Sequence, residues 1–314
     1  MKRLVVAAGV VAGLICGAPA MAQMKSTVVI VVKDQGQPYW QAVLAGARKA
    51  GQDVGVGVSE VAEADAGAGL DKAVAAKPSA IIVAPWQFSG QAAKLDEAAK
   101  KVKIVGIGSA GDSKGMAALI ATDNVNAGHL AAEALAAGIT GAYGDTEGNV
   151  VIISSMPGVA MLDQRAKGFK DLLAEKYRAL AIVGEKTADG KAATALSIMN
   201  DFIANTADLR GVFVTDPLMT QAVAQAVAEK KSDDKIVVVG VGSGDQLVKY
   251  LQDSTITGLV LEDPFRIGYD SVKTALAASK GEKVAANMDI DATLVTKANM
   301  SSPRSQELLN PKVK

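Results

Sequence analysis

Acidic side chains recur where β-branched runs of the sequence end. They are Asp34, Asp123, Asp216, Glu262 and Asp263. Arg165 lies in a segment of helical period that follows another such run. Carboxylates accept hydrogen bonds from hydroxyl groups and a guanidinium donates in a fixed fork, so these groups can together satisfy a buried polyhydroxy ligand. Each one alone is more typical of a helix cap or a surface ion pair, and their recurrence at one edge of the sheet is what favours a site.

Aromatic residues make up only 4% of the chain, so the places where they cluster carry information. Tyr39 and Trp40 follow Gln37 between the first predicted strand and its helix, and Trp86 follows the third predicted strand. Ligands of open parallel sheets bind beyond the carboxyl ends of the strands, and both tryptophans are predicted on loops at that edge. A flat aromatic face beside polar groups suits a sugar or polyol. Alternatively, Tyr39 and Trp40 anchor the first helix in the core.

Two glycine-rich segments, Gly106–Gly111 and Gly240–Gly244, follow predicted strands. The first fits the G-x-G-x-x-G spacing of dinucleotide sites, but such a site also needs a long helix directly after the strand to face the pyrophosphate. The residues after Gly111 leave no room for that helix. We interpret these glycines as strand ends where the backbone, with Ser109 or Ser243, can approach a ligand.

The sequence is poorly supplied for catalysis. His129 is the single histidine and lies among apolar residues of a predicted helix, and Cys16 is the single cysteine. No nucleophile-elbow, zinc-protease, P-loop or calcium-loop motif occurs in the sequence. The 33 basic residues balance the 33 acidic ones, which argues against nucleic acid as a partner. We therefore expect no catalytic residue, no metal and no cofactor.

Residues 1–22 have the pattern of a secretory signal peptide. Two basic residues precede an apolar run that Pro19 closes, and Ala20 and Ala22 supply a small-residue cleavage site. The run is shorter than the ~20 residues of a membrane span. The pattern predicts a cleaved protein exported to the periplasm.

β-branched runs alternate with alanine-rich segments of helical period along the whole chain, which predicts the α/β class. The predicted strands are 27–33, 54–59, 80–84, 103–107, 118–122, 149–154, 180–185, 211–215, 235–241 and 257–262. The predicted helices are 39–51, 66–76, 88–101, 125–137, 160–176, 190–205, 217–230, 244–252 and 265–279. Strands apolar on both faces indicate helix-covered parallel sheets, and their number favours two doubly wound sheets over one. Residues 138–148 are predicted to form a surface connection.

The chain resembles the periplasmic sugar-binding proteins of the ribose-binding type, the substrate-binding components of ABC importers. The likeness covers essentially the whole mature chain and is carried by the order and spacing of several segments. They are VVIVVKDQGQPYW, ATDNVNAGHLAAEAL, DQRAKGFKDLL, GVFVTDPLM, VVVGVGSGD and EDPFRIGYDSVKTAL. The resemblance implies two doubly wound domains, joined by three crossovers, that close on the ligand like a hinged clamp.

The resemblance also implies where the crossovers and the domains lie. The crossovers fall near Asp123-Asn124, Glu262-Asp263 and Asp291-Ala292. Residues 23–123 with 263–291 then form the N-terminal lobe, and residues 124–262 with 292–314 form the C-terminal lobe.

The candidate ligand-binding residues come from both lines of reasoning. The family's ligand positions fall on Gln37, Tyr39, Trp40, Gly108, Ser109, Arg165, Asp216, Gly242 and Glu262. The strand-end argument adds Trp86 and Ser243. Lys33, Asp163 and Gln164 resemble positions used by autoinducer-2 receptors of the same superfamily.

Three departures from the ribose-binding pattern bear on the ligand. Ribose-binding members have an Asp-Arg pair where this chain has Gly108-Ser109, an aspartate at Gly242 and an aromatic residue near Gly190. The missing groups grip pyranose hydroxyls, so a linear polyol or a sugar with another hydroxyl pattern is favoured over ribose. The aspartate that autoinducer-2 receptors use again falls at Gly108.

We therefore expect a monomeric periplasmic receptor that captures a monosaccharide or polyol and delivers it to an ABC permease driven by a cytoplasmic ATPase. An autoinducer-2 receptor is one alternative, and a chemosensory role is another. A secreted α/β carbohydrate-active enzyme is the alternative from a different class.

Overall fold

The computed structural model describes residues 26–84, 91–108, 113–232 and 235–311, so the predicted signal peptide lies outside the described residues. The strands are β1 (Thr27–Val32), β2 (Gly57–Ala62), β3 (Ala80–Val83), β4 (Lys103–Ile107), β5 (Ala118–Thr122), β6 (Gly148–Ser154), β7 (Leu180–Thr187), β8 (Leu209–Val214), β9 (Val237–Val241), β10 (Gly258–Leu261), β11 (Asn287–Ile290) and β12 (Thr293–Thr296). The helices are α1 (Pro38–Val54), α2 (Ala66–Ala75), α3 (Gln91–Ala99), α4 (Asn124–Tyr143), α5 (Ala160–Lys176), α6 (Ala192–Asn205), α7 (Pro217–Glu229), α8 (Asp245–Gln252), α9 (Pro264–Ser279) and α10 (Pro303–Leu309).

The strands form two six-stranded sheets. Sheet 1 has the order β11-β5-β4-β3-β1-β2, and sheet 2 has the order β12-β10-β9-β8-β6-β7. The strand pairs within sheet 1 are parallel, and in sheet 2 the pair β10 and β12 is antiparallel while the others are parallel. The predicted α/β class with two doubly wound sheets is confirmed.

Each sheet is covered on both faces, which is why its strands are apolar on both sides. Helices α1 and α9 bury one face of sheet 1, and α2 and α3 bury the other. In sheet 2, α4 and α5 bury one face, and α6, α7, α8 and α10 bury the other. None of the described helices is long and apolar enough to cross a membrane.

The chain passes between the two sheets at three places. The end of β5 leads into α4, which packs on sheet 2, and the end of β10 leads into α9, which packs on sheet 1. Between β11 and β12 the chain passes from sheet 1 to sheet 2. These passages bring the ends of β5 and β10 side by side at the base of the space between the sheets.

Glycines allow the helix that follows each of the first two passages to pack closely on a neighbour. A Cβ atom at Gly128 of α4 would lie 2.2 Å from the Arg165 carbonyl oxygen of α5, and one at Gly168 of α5 would lie 2.1 Å from the Val125 carbonyl oxygen. Helices α1 and α9 show the same arrangement, since a Cβ at Gly46 or Gly268 would lie 1.9 Å from a carbonyl oxygen of the other helix. These contacts fix the start of α5, and therefore Arg165, against the start of α4.

Two sequence predictions are wrong in detail. Residues 138–143 do not form a surface connection but continue α4 to Tyr143. Gly138 lies against Val237 and Thr257 of sheet 2, so this glycine serves close helix–sheet packing rather than a turn. The second strand begins at Gly57, later than predicted, because α1 runs to Val54 and Gly55 ends it in the left-handed conformation at φ 71°.

Gly128→Ala and Gly141→Ala form a matched pair of substitutions within α4. The new methyl group at residue 128 has no space, so we expect the free energy of unfolding to fall by about 1–3 kcal/mol. At Gly141 nothing lies within 4 Å of the added Cβ, and we expect a gain of about 0.5–1 kcal/mol from helix propensity. Urea unfolding measures both. Equal effects at the two positions would contradict the close contact of α4 with α5.

Candidate functional site

Arg165 is the largest fully buried side chain of the described residues, with 2% of its surface exposed. Its Nε donates to Asn124 Oδ1 at 2.8 Å, and its Nη1 donates to the Thr215 carbonyl oxygen at 2.9 Å. Its Nη2 lies 2.8 Å from Glu262 Oε1 and forms an ion pair with it. A buried guanidinium requires such partners, because an unpaired buried charge is strongly destabilising.

These contacts close into a ring that joins the two sheets. Thr122 Oγ1, at the end of β5, donates to Glu262 Oε1 at 3.0 Å, and Asn124 Nδ2 donates to the Thr122 carbonyl oxygen at 3.0 Å. Thr122, Asn124, Arg165 and Glu262 are thus each bonded to two members of the ring. The ring lies where the chain makes its first two passages between the sheets.

Several buried polar atoms beside the ring have no aligned hydrogen-bond partner among the described residues. They are Arg165 Nη2, Thr215 Oγ1 and Asp216 Oδ2. The contact of Nη2 with Glu262 is an ion pair by distance, but it is not aligned as a hydrogen bond. Buried polar groups are normally paired, so adjacent unpaired donors and acceptors indicate the place of a polar ligand.

Asp216 lies shortly after β8 and caps α7. Its Oδ1 accepts from the Met219 backbone N–H at 3.1 Å, while Oδ2 stays unpaired. Burial raises the pKa of this carboxyl above its ordinary value, against smaller opposing effects of the Met219 N–H, the Ser155 side chain and Arg165. A hydroxyl group that donates to Oδ2 would favour the ionised form.

A cavity of about 550 Å³ lies between the two sheets at this place. The amino end of α1 contributes one wall, and the rest comes from the ends of β8, β9 and β10, the helices that follow them, and the end of α10. The polar lining includes Gln37, Asp216, Gln221, Ser243, Asp245 and Glu262, and the apolar lining includes Pro38, Pro217, Leu218, Leu261, Pro264, Leu308 and Pro311.

Tyr39 and Trp40 both pack on the core of sheet 1, and of the two only Tyr39 also lines the cavity. Tyr39 is half-buried and lines the cavity, and its pKa is raised first by burial and then by the charge of Glu262. Trp40 lies edge-on to Tyr39, with ring centroids 5.0 Å apart, and packs on the core of sheet 1. It stands in the first turn of α1, so the prediction that it lies on a loop is wrong, and it is not among the cavity-lining residues.

Glycines stand at two positions where the ribose-binding pattern has polar residues. Gly242 has φ 96°, and a Cβ there would lie 2.3 Å from Pro217 Cγ. The loop after β9 therefore has no room for a side chain at residue 242. Gly108 has φ 78°, and Met161 of α5 approaches from the side of sheet 2, with Cε 3.9 Å from the place of a Cβ. Gly242 and Ser243 line the cavity.

The remaining candidates lie apart from the cavity or outside the described residues. Lys33, Asp163 and Gln164 are exposed, and none lines the cavity. Trp86 and Ser109 lie outside the described residues.

Sequence reasoning missed Asn124 and Thr215 as partners of Arg165. Both residues lie within two residues of a strand end, as Asp123 and Asp216 do. This position in the sequence is the signal that could have identified them as site residues. The missed apolar lining includes Leu218 and two residues of the C-terminal segment, Leu308 and Pro311. No motif marks those residues in the sequence.

Comparisons with known proteins agree with this geometry. A family model for the periplasmic binding protein domain matches residues 28–283. A crystal structure of a carbohydrate transporter solute-binding protein from Agrobacterium radiobacter, in complex with D-arabinose, is 47% identical with a TM-score of 0.83, covering 93% of this chain and 100% of that chain. The ribose import binding protein of Haemophilus influenzae is 23% identical over 94% of this chain and 100% of its own length. The D-allose-binding periplasmic protein of Escherichia coli is 26% identical over 90% and 93%.

Two helix-covered sheets with a polar cavity between them define a solute-binding protein of the two-domain type. The chain belongs to the periplasmic binding protein family, and within it to the sugar-binding components of ABC importers of the ribose-binding type. The resemblance seen in the sequence is thereby confirmed.

The Arg165–Glu262 pair allows a double-mutant cycle. We expect Arg165→Met to lower the free energy of unfolding by about 3 kcal/mol, because it leaves Glu262 with an uncompensated and largely buried charge. In Arg165→Met/Glu262→Gln that charge is gone, so the loss should be at least about 1 kcal/mol smaller than the sum of the single losses. Chemical denaturation measures the cycle. Additivity within about 0.5 kcal/mol would contradict a coupled pair.

Asp216→Asn tests whether the negative charge of Asp216, whose Oδ2 has no hydrogen-bond partner, opposes folding. The raised pKa means that the folded state binds the proton more tightly, so ionisation of Asp216 destabilises the ligand-free protein above that pKa. An asparagine caps α7 equally well without the charge. We expect Asp216→Asn to melt at or above the wild-type temperature at pH 7, with the difference shrinking as the pH falls through the raised pKa. A variant that melts well below the wild type at pH 7 would contradict this account.

Proposed function

We propose that this protein is a periplasmic receptor that encloses one uncharged monosaccharide or linear polyol between two lobes and hands it to an ABC permease. The observation that carries the proposal is a set of buried polar atoms without an aligned hydrogen-bond partner, close to the cavity-lining residues Asp216 and Glu262. They are Arg165 Nη2, which is ion-paired with Glu262, Thr215 Oγ1 and Asp216 Oδ2. A hydroxyl group both donates and accepts hydrogen bonds. Neighbouring hydroxyls of one ligand can therefore accept from a guanidinium N–H and donate to a carboxylate oxygen.

The lining of the cavity supports the same ligand class. Tyr39 and the apolar residues around Pro217 and Leu261 offer surface for the C–H groups of a sugar. Arg165 is already balanced by Glu262, so it does not offer a free positive charge to an acidic ligand. The relative that holds D-arabinose makes that sugar the first ligand to test.

We assign residues 23–123 and 263–291 to the N-terminal lobe, and residues 124–262 and 292–314 to the C-terminal lobe. A ligand that touches Tyr39 on one lobe and Asp216 on the other binds both only when they are close together. Differential affinity for the closed arrangement then shifts the population toward it. Small-angle scattering should show compaction of a monomer when the ligand is added.

The proposed function needs no bond to be made or broken, and the family consists of solute-binding proteins. The signal-peptide pattern of residues 1–22 supports export to the periplasm, where this receptor meets the permease. The alternative of a carbohydrate-active enzyme predicts that the sugar is altered on incubation. Recovery of the sugar unchanged, followed by NMR spectroscopy, distinguishes the two.

A thermal-shift panel tests the ligand. It contains D-arabinose, D-ribose, D-allose, D-arabitol, a sugar acid and autoinducer-2. We expect D-arabinose or another neutral member to raise the melting temperature by roughly 5 °C or more at saturation, since a ligand at 100 times its dissociation constant adds about 2.7 kcal/mol.

Two variants test whether the thermal shift depends on the cavity. Glu262→Gln changes a cavity-lining carboxylate and should reduce the shift, whereas Lys33→Ala changes an exposed residue outside the cavity and should leave it unchanged. Stabilisation by autoinducer-2 alone, abolished by Lys33→Ala, would replace the sugar receptor with the autoinducer-2 receptor.

A further inference from the structure

The C-terminal helix α10 contributes directly to the cavity between the sheets. Leu308 near its end and Pro311 just beyond it line the cavity. Both residues lie past residue 283, where the match to the family domain ends. The wall that they form therefore lies outside the part of the chain that the family model matches.

Helix α10 is firmly attached to sheet 2. Leu308 and Leu309 are buried in the core on one face of that sheet, and Ser302 caps the helix by accepting from the Ser305 backbone N–H at 3.1 Å. The turn before the helix is held by Asn299, whose Oδ1 accepts from the Thr296 backbone N–H at 2.8 Å. The position of α10 therefore follows sheet 2.

Arg304 of α10 reaches across to the helix that packs on sheet 1. Its Nη2 lies 2.5 Å from Asp263 Oδ2, and Asp263 is 6% exposed. The other oxygen, Asp263 Oδ1, accepts from the Arg266 backbone N–H at 2.9 Å and caps α9. Asp263 thus holds the first turn of α9 and the helix α10 at the same time, directly after Glu262 of the ring.

A second cavity of about 240 Å³ lies next to this ion pair. It is lined by Asp263, Pro264, Phe265, Arg304, Glu307, Leu308 and Pro311. Pro264, Leu308 and Pro311 also line the main cavity, so the end of α10 separates the two spaces. Leu308 and Leu309 hold one side of α10 against sheet 2, whereas the side that faces the second cavity is held by the Arg304–Asp263 contact.

We propose that α10 is a clasp across the hinge: Arg304 holds Asp263, keeps Leu308 and Pro311 in the cavity wall, and opposes separation of the two lobes. Arg304 is a positioning residue in this scheme and does not touch the sugar. The inference rests on the proposed function, because it assigns α10 to the closure of the same cavity.

Arg304→Gln tests the clasp, with Arg266→Gln as the matched control. Arg266 is an exposed arginine in the first turn of α9 whose side chain pairs with Asp270, so it loses the same charge without touching α10. With D-arabinose as the probe, we expect Arg304→Gln to raise the dissociation constant about three- to tenfold, through faster dissociation and an unchanged association rate. Arg304→Lys should restore part of the affinity, and Arg266→Gln should match the wild type.

A second readout does not depend on the sugar. Spin labels on cysteines introduced at the exposed positions Gln52 of α1 and Glu175 of α5 report the distance between the lobes. In the ligand-free protein, Arg304→Gln should lengthen or broaden this distance, and Arg266→Gln should not. If D-arabinose fails to bind the wild type while the distance changes, the clasp stands and the proposed ligand fails. An unchanged ligand-free distance in Arg304→Gln overturns the clasp, whatever the sugar does.

Discussion

The burial of one guanidinium governs how the two halves of this protein meet. Arg165 is withdrawn from water, and its partners come from the start of α4, the residue after β8 and the residue after β10, while Thr122 at the end of β5 bonds to two of those partners. A charge in this position is tolerated only while those partners stay in place. The same interaction that fixes the base of the cavity therefore also fixes the relation between the first two passages of the chain.

In the proposed function, the same side chains make structural contacts and offer atoms to the ligand. Arg165 donates from Nε and Nη1 to the protein and has Nη2 beside Glu262 without an aligned hydrogen bond, and Asp216 caps α7 with Oδ1 and leaves Oδ2 without a hydrogen-bond partner. Dividing one functional group in this way orients it before the ligand arrives, which reduces the entropy lost on binding. The polar part of the site therefore consists of side chains held close to the ends of strands rather than of flexible surface side chains.

Local patterns in the sequence were sufficient for the α/β class and for most strands and helices, because apolar runs and helical periods are properties of short segments. They were insufficient where packing between distant segments determines the local structure. Gly138 suggested a connection but lies in α4 against sheet 2, and Trp40 suggested a ligand contact but packs on the core. Only the folding of segments that are distant in the sequence brings to the site Asn124, Thr215 and the end of α10. Charge and strand-end position did predict Arg165, Asp216 and Glu262, which the structure brings together.

The paired glycines of α1 with α9 and of α4 with α5 have a consequence for how selectivity and affinity can vary. They join each crossing helix tightly to a neighbour of its own half, so a movement of one half against the other would bend the short stretches at 122–124, 261–263 and 290–292. Changes in those stretches alter the free energy of opening, which enters the apparent affinity for every sugar by the same factor. Changes in the cavity lining alter the ranking of the sugars. Preference and strength of binding are thus encoded in largely different parts of the chain, and Leu261 and Glu262 belong to both.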